Sequence, residues 1–501
     1  MMKRNWMAEL AAHYEKIRQK YPHQKLMIVF DIDGTILDMR YMMLDVLKTY
    51  DTQFGTRFFT ELKIQDITIH ETQLPDFLNQ MGLPPVHMAK ILDWYHQKRW
   101  SEAFILHAHQ PFRGVMDVIR WFQLQPNTYV GINSGRPESV RKDTLHSLNE
   151  LGKEYKVHFK DELLHLNSRG WDEGISKSKA EGMKFFTEKG YHIFAVVDNE
   201  PVNLKEMATV SPNNDTLFLH ANTIFKSRIR KLPPNFVRGR EYDITDLIRE
   251  NHLPRHIQMV WHGINDQANL RQFLGSDISW GECDVRLDPT GNKLILRHDS
   301  FRKTPLQLDE PWLTFEEFLT RMQKYEKSVK VDLKSGGILV DKVIEHLRGM
   351  GWSDEHIWFN ANIERLHEYG FRKLRDAFPD AILQCPIEFL YPLISSTPDK
   401  AHDILNTFTS WGINRFSVNW QIPEVRTIIR NLMKWEMDIN IYNVPDLEAF
   451  LQAVLLTPRS ITADFNFPQW YYFGRGSGEN DFYYEYSMKR KQLKSKTDGM
   501  E

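Results

Sequence analysis

The residues Met27-Ile-Val-Phe30, followed at once by Asp31-Ile-Asp33-Gly34-Thr35, constrain the first half of this 501-residue chain more than any other stretch. Four consecutive apolar residues, rich in β-branched and aromatic types, have the composition of a buried parallel strand. In an extended segment Asp31 and Asp33, at i and i+2, lie on the same side, and Gly34 lets the chain turn away. Like charges at such range are costly without a cation or a protonation offset. The carboxyl edge of a parallel strand is also where open α/β sheets place ligands. An acid pair there is a candidate for chemistry.

The surrounding sequence supplies a sheet for this strand. Residues 6–20, with Trp6, Leu10, Tyr14 and Ile17 at helical spacing, form an expected helix beside it. From about 38 to 112, Met42, Val46, Leu47 and Tyr50, then Phe77–Met81 and Met88–Trp94, read as helices with no strand between them, so an inserted helical cap is expected. Signals then alternate: Gly114–Phe122 helical, Thr128–Ile132 a strand, Lys179–Lys189 helical, Ile193–Val197 a strand. That order implies a doubly wound parallel sheet of α/β class. Lys231–Arg240 reads as a loop, with a short helix near Ile244–Arg249 after it.

A second series begins at Ile257. Candidate strands are Ile257–Trp261, Glu282–Leu287, Val329–Leu333, Ile357–Asn360, Ala381–Cys385, Arg415–Asn419, Ile439–Tyr442 and Ser460–Asp464, most of them separated by helical patterns. Eight strands alternating with helices imply a (β/α)8 barrel. The expected boundaries are an N-terminal helix over 1–24, a first domain over 25–232, a linker over 233–255, a barrel over 256–475 and a basic, disordered tail over 476–501. Trp470–Phe473 would line a pocket or, more simply, close the barrel.

A chain of 501 residues with 42% hydrophobic and 12% aromatic content can fill two such cores. Its net charge of −2 gives no case for nucleic acid or an anionic membrane as partner. No apolar run is long enough to span a bilayer, and residues 1–20 lack the apolar centre of a secretory signal. Cys283 and Cys385 are too far apart in sequence to suggest a disulfide framework or a zinc cluster. A soluble, cytoplasmic protein is expected; oligomeric state has no sequence signal.

Three later features fall where the acid pair needs them. Tyr129-Val-Gly-Ile-Asn-Ser134-Gly135-Arg136-Pro runs a strand into a hydroxyl and a glycine turn, whose N–H groups can hold phosphate oxygens. Lys179, opening a helix, could neutralise the same anion. Phe194-Ala-Val-Val-Asp198-Asn-Glu200-Pro-Val-Asn203 is a second apolar strand ending in acid, suited to a hard cation such as Mg2+. In that order the pieces resemble the haloacid dehalogenase (HAD) superfamily over roughly the first 230 residues. The resemblance implies Asp31 as a nucleophile forming an aspartyl-phosphate and Asp33 as general acid/base. It implies phosphate binding by Ser134, Gly135 and Lys179, and a Mg2+ site of Asp31, Asp33 and Asp198. Lys177 is close enough to compete with Lys179. Asn199 stands where the family often has a second acid, leaving Glu200 or Asn203 to complete or support the site. The second acid, Asp33, favours a phosphatase over a dehalogenase.

In the second half, polar residues sit at expected strand ends: His262 after Met259-Val-Trp, the pair Glu282 and Asp284, His298-Asp299 after Leu294-Ile-Leu-Arg, and Asp332-Leu-Lys334. Such residues gather around one mouth of a (β/α)8 barrel. Three carboxylates suit Mg2+ or Ca2+, and two histidines can serve as acid and base. The order resembles the glycerophosphodiester phosphodiesterase superfamily, and Val-Trp-His262-Gly263-Ile-Asn265, Lys-Val-Asp332-Leu-Lys334-Ser and Ile-Trp-Phe-Asn360-Ala-Asn362-Ile look closer to its menorin-like branch. The resemblance implies Glu282, Asp284 and Asp332 as metal ligands, His262 and His298 as acid and base, and Lys334 on phosphate. Gly263 replaces an arginine of the phosphodiesterase pattern, and Asp332 replaces its usual Glu.

The expected function is a metal-dependent phosphoric-ester hydrolase acting on a small-molecule phosphate ester: the barrel cleaves a diester and the first domain removes the remaining phosphate. Alternatives are a phosphatase with a non-catalytic, ligand- or partner-binding barrel, and a phosphotransferase.

Overall fold

The computed structural model describes residues 5–463 apart from 70–72, 100, 102–103, 106–107, 171–173, 212–214, 224–235, 249–252, 255 and 307–309, together with the backbone of 472–475 and 483–486. The chain forms two compact units, Met1–Ile248 and Arg249–Glu501.

Unit 1 is built on a six-stranded parallel sheet: β1 Lys25–Phe30, β2 Thr128–Pro137, β3 Leu164–Asn167, β4 Tyr191–Asp198, β5 Leu217–Ala221 and β6 Phe236–Gly239, in the order β3-β2-β1-β4-β5-β6. The central strand β1 is buried along Leu26–Phe30 because both faces are covered. On one face Met27 and Val29 pack with Met183, Phe186 and Leu204 from the helices Ile175–Glu188 and Pro201–Thr209. On the other, Tyr14 of the helix Trp6–Lys20 meets Phe122 and Phe194 edge-on or tilted. That helix starts cleanly because Asn5 accepts from Met7 N and Ala8 N.

Between β1 and β2 the described residues include the helices Met39–Phe54, Leu74–Gln80 and Pro85–Lys98. The passages entering and leaving this insertion pair at its root: Asp38 N donates to Gln110 O at 2.8 Å and Phe112 N to Ile36 O at 2.9 Å. Two expectations are corrected here. The stretch read as a loop contains β6, whose Phe236 and Val237 are buried against the sheet; residues 231–235 lie outside the described residues. Strands β3 and β5 had no place in the sequence reading.

Unit 2 is a closed barrel. Its strands are β7 Gln258–Trp261, β8 Trp280–Leu287, the short β9 Leu294–Leu296, β10 Ser328–Leu333, β11 Ile357–Asn360, β12 Ile382–Pro386, β13 Arg415–Asn419, β14 Ile439–Val444 and β15 Ser460–Ala463. Leaving β9 aside, eight parallel strands pair in sequence, and β15 returns to β7 to close the ring. β9 folds back antiparallel on β8 and brings His298 to the rim. Asp464 and the basic run Lys489–Lys496 lie outside the described residues, as do the side chains of Trp470–Phe473. The backbone of β16 Tyr472–Arg475, at the end of the expected barrel span, pairs antiparallel with β17 Tyr483–Tyr486, which falls within the expected tail.

Candidate active sites

Unit 1 gathers its polar residues at the carboxyl ends of β1, β2 and β4, where the strand order reverses between β1 and β4. Asp31 follows β1 directly, and its N–H donates to Val197 O at 2.9 Å, which fixes it beside the end of β4. Asp198 is the last residue of β4. Lys179 lies one turn inside Ile175–Glu188 and does not open it as expected. Its Nζ donates to Asp31 Oδ1 at 2.5 Å and Asp198 Oδ2 at 2.6 Å, and all three side chains are buried. Lys177 is exposed.

One ammonium cannot balance two carboxylates. Burial pushes the Asp31 carboxyl up to about 7; the Lys179 ammonium opposes that rise, while the Asp198 and Asp33 charges add to it. Burial alone would lower the Lys179 ammonium, yet Asp198 and Asp31 raise it above its ordinary value. Asp31 Oδ2 takes a long hydrogen bond from the Thr35 hydroxyl, 3.2 Å, and so keeps lone pairs for a cation. Asp198 Oδ1 accepts from Glu200 N at 2.8 Å and Asn203 Nδ2 at 3.3 Å, and Asn203 is itself held by Ser176 at 2.9 Å. Glu200 and Asn203 thus both support Asp198. The Asn199 side chain packs against Gly34, where a Cβ would fall on its amide; Gly34 is left-handed at φ +80°.

Asp33 turns its carboxylate elsewhere. Arg136 Nε donates to Oδ2 at 2.8 Å and Arg136 Nη2 to Oδ1 at 2.6 Å, a two-pronged pair. Burial alone would raise the Asp33 carboxyl, but the Arg136 guanidinium holds it below the ordinary range. Ser134 is buried and accepts from Arg136 N at 3.2 Å, and Gly135 packs against Ile175. Sequence reading took Arg136 as part of a turn; its partner Asp33 is distant in the chain, and no local pattern marks the pair.

In the barrel the polar residues form layers set by strand register. Lys330 lies opposite Glu282 and Asp332 opposite Asp284 on β10 and β8; Asn360 of β11 lies opposite Asp332, and Gln384 of β12 opposite Asn360. Asn360 Nδ2 donates to Asp332 Oδ1 at 3.1 Å and Gln384 Nε2 to Asn360 Oδ1 at 2.7 Å. Lys334 Nζ sits between Asp284 Oδ1, 2.7 Å, and Asp332 Oδ2, 2.5 Å; Asn265 Nδ2 donates to Asp284 Oδ2 at 2.6 Å. Lys330 Nζ pairs with Glu282 Oε2 at 3.0 Å. Burial would lower the Lys334 ammonium, but the two aspartates raise it well above its ordinary value; burial would raise Asp284, but Lys334 holds it low.

These residues open on a cavity of about 220 Å³ lined by His262, His298, Glu282, Asp332, Lys334 and a ring of carboxamides and hydroxyls. His298 is half-exposed, with Nδ1 3.1 Å from Asp299 Oδ1. Lys330, Asn360, Gln384 and Thr462 line the same cavity. Sequence reading gave them no role, although Lys330 precedes Asp332 at the same i, i+2 spacing as Glu282 and Asp284. Gly263 is left-handed at φ +68° with open space beside it.

Among the described residues no three His, Cys, Asp or Glu side chains converge as a metal-binding group. In unit 1 the two buried carboxylates and one ammonium still leave an unbalanced negative charge and oxygen donors, which fits a hard cation. In the barrel all four oxygens of Asp284 and Asp332 already take a protein N–H, and the space between them holds the Lys334 ammonium. Paired in this way Asp284 and Asp332 do not fit a metal, and of the three expected ligands Glu282 keeps an oxygen, Oε2 beside Lys330 Nζ, that takes no hydrogen bond.

No family model and no curated protein matches the sequence. Among solved structures the chain is similar to an Oleispira antarctica phosphodiesterase in complex with the product sn-glycerol-3-phosphate (12% identity, 42% of this chain, 94% of that chain, TM-score 0.31). It is similar to a glycerophosphodiester phosphodiesterase from Agrobacterium tumefaciens (14% identity, 42% of this chain, 96% of that chain, TM-score 0.29). It is also similar to a HAD-superfamily hydrolase from Geobacter sulfurreducens (13% identity, 44% of this chain, 95% of that chain, TM-score 0.30). Among the described residues no helix is long and apolar enough to cross a membrane.

Proposed function

We propose that the chain is a phosphoric-ester hydrolase whose unit 1 is a phosphomonoesterase working through an aspartyl-phosphate on Asp31. The observation that carries this reading is the buried Asp31–Lys179–Asp198 cluster at the strand switch point. An Asp31 oxygen attacks phosphorus and the bond from phosphorus to the ester oxygen breaks; Arg136 keeps Asp33 ionised in the resting site, so the proton that Asp33 passes to the leaving alkoxide enters with the substrate, as the phosphate monoanion. Asp33 then takes a proton from water as that water attacks phosphorus, the bond to Asp31 breaks, and inorganic phosphate leaves. Ser134, the N–H groups at Gly135 and the Lys179 ammonium meet the phosphoryl oxygens. A bound Mg2+ would offset charge on those oxygens, held by the Asp31 and Asp198 carboxylates; Asp33, expected as a further ligand, has its carboxylate turned to Arg136. Purified protein is expected to release phosphate from p-nitrophenyl phosphate with Mg2+, and Asp31→Asn to abolish it. An undiminished rate in that variant would sink the assignment.

For the barrel, the reading is phosphodiester cleavage to a monoester. One of His262 and His298 takes the proton of the attacking water, the other protonates the leaving alkoxide, and Lys334 supplies the positive charge at phosphate. Bis-p-nitrophenyl phosphate turnover should survive Asp31→Asn and vanish in His262→Ala. A second reading, a barrel that binds ligand without cleaving it, is favoured by the full pairing of Asp284 and Asp332. Absence of turnover in the wild-type chain would select it.

A further inference from the structure

Arg136 is among the largest fully buried side chains of the chain. A buried guanidinium is costly unless its N–H groups are met. Here Nε and Nη2 grip Asp33, Nη1 donates to Thr144 Oγ1 at 3.2 Å, and Nη2 also reaches His109 Nε2 at 3.3 Å. Arginine has no lone pair with which to accept, so His109 Nε2 is the acceptor and the ring proton sits on Nδ1. That N–H donates to Ser147 Oγ at 2.8 Å. Arg136 thus donates both ways, to Asp33 on one side and through His109 toward Ser147 on the other, and each residue beneath Asp33 is buried.

The place of His109 gives this chain of bonds a meaning. The next residue, Gln110, accepts the Asp38 N–H at 2.8 Å, and Pro111 bridges to Leu37, so His109 stands at the root of the helical insertion. We infer that Arg136 is the positioning residue for Asp33, and that His109 ties its placement to the cap root. A carboxylate that must give a proton to one oxygen and take it from another has to present the same oxygen twice from a fixed place. A planar fork fixes its tilt and its lateral position; a single ammonium fixes neither. His109, neutral in this arrangement, contributes geometry without adding charge.

The inference rests on the phosphatase reading of unit 1, and the test separates the two. With full-length Arg136→Lys, first-turnover release of p-nitrophenol and decay of the acid-trapped aspartyl-phosphate are measured separately. The nitrophenolate leaves without a proton, so its release should stay within about threefold of wild type, while decay, which needs Asp33 to take the proton of water, should slow by about tenfold or more. His109→Gln, whose side-chain carbonyl can still accept from Arg136, should slow decay less, and it carries the test if Arg136→Lys fails to fold. Parallel loss in both steps, or unchanged decay in both variants, overturns the inference while leaving the phosphatase intact. No trapped phosphate on Asp31 in the wild-type protein removes the premise and the inference together.

Discussion

Lys179 shows how one side chain can decide whether two others are tolerable. In Lys179→Met, Asp31 and Asp198 face one another in a buried site without a cation, at an expected cost of about 3–5 kcal/mol near neutral pH. The Asp31 carboxyl would then bind its proton more tightly in the folded than in the unfolded chain. Stability should therefore recover as pH falls toward 5 and be lost as pH rises through the raised folded value of Asp31. Wild-type Asp31, already pushed up to about 7, sets the direction. Thermal unfolding of the variant at pH 5 and 8 checks this; equal loss at both would contradict it. At this scale Asp31 and Asp198 were readable because each closes an apolar strand, whereas Ser134 lies within β2 and Lys179 one turn inside its helix. Arg136 and His109 were not readable, because their meaning lies in partners far along the chain. Gly263 was visible only as a departure from a pattern. Its left-handed backbone shows that this turn takes a conformation an arginine would adopt with strain, about 1 kcal/mol.

The helix Ile175–Glu188 reaches Asp31 because it docks closely on β2. A Cβ at Gly182 would fall on the Asn133 side chain, and Asn133 Nδ2 donates to Lys179 O at 2.8 Å. Gly182→Ala should cost about 1–3 kcal/mol by overpacking and move the Lys179 ammonium off its two carboxylates. The expected result is a lower p-nitrophenyl phosphate rate with unchanged turnover of the diester; an unchanged monoester rate would show that docking does not set the reach of Lys179. Burial alone did not decide which strands were legible, since β5, buried from Phe218 to Ala221, was missed. β1 and β4, covered on both faces, are continuous apolar runs, whereas β3, an edge strand, has polar His165 and Asn167, and β6, the other edge, keeps Arg238 exposed. The register that sets Asp284, Asp332, Asn360 and Gln384 side by side needs strand pairing to see, although each residue was in plain view.

At the scale of the whole molecule, the alternation of strands and helices was enough to foresee one open sheet and one closed barrel, since each parallel strand needs a crossover helix to reach the next. The two differ in how they are completed. In unit 1 the first strand made is the central one, so later strands can add on either side of it. In unit 2 the ring closes only when β15 meets β7, its first strand with its last. During synthesis at about 5–20 residues per second, the roughly two hundred residues between them take about 10–40 s to emerge. Through that interval the nascent barrel carries an open seam, with the main-chain groups of Gln258–Trp261 unpaired on one side. The ribosome and the chaperones around it meet this protein as an unclosed sheet long before there is a mouth for His262 to stand in.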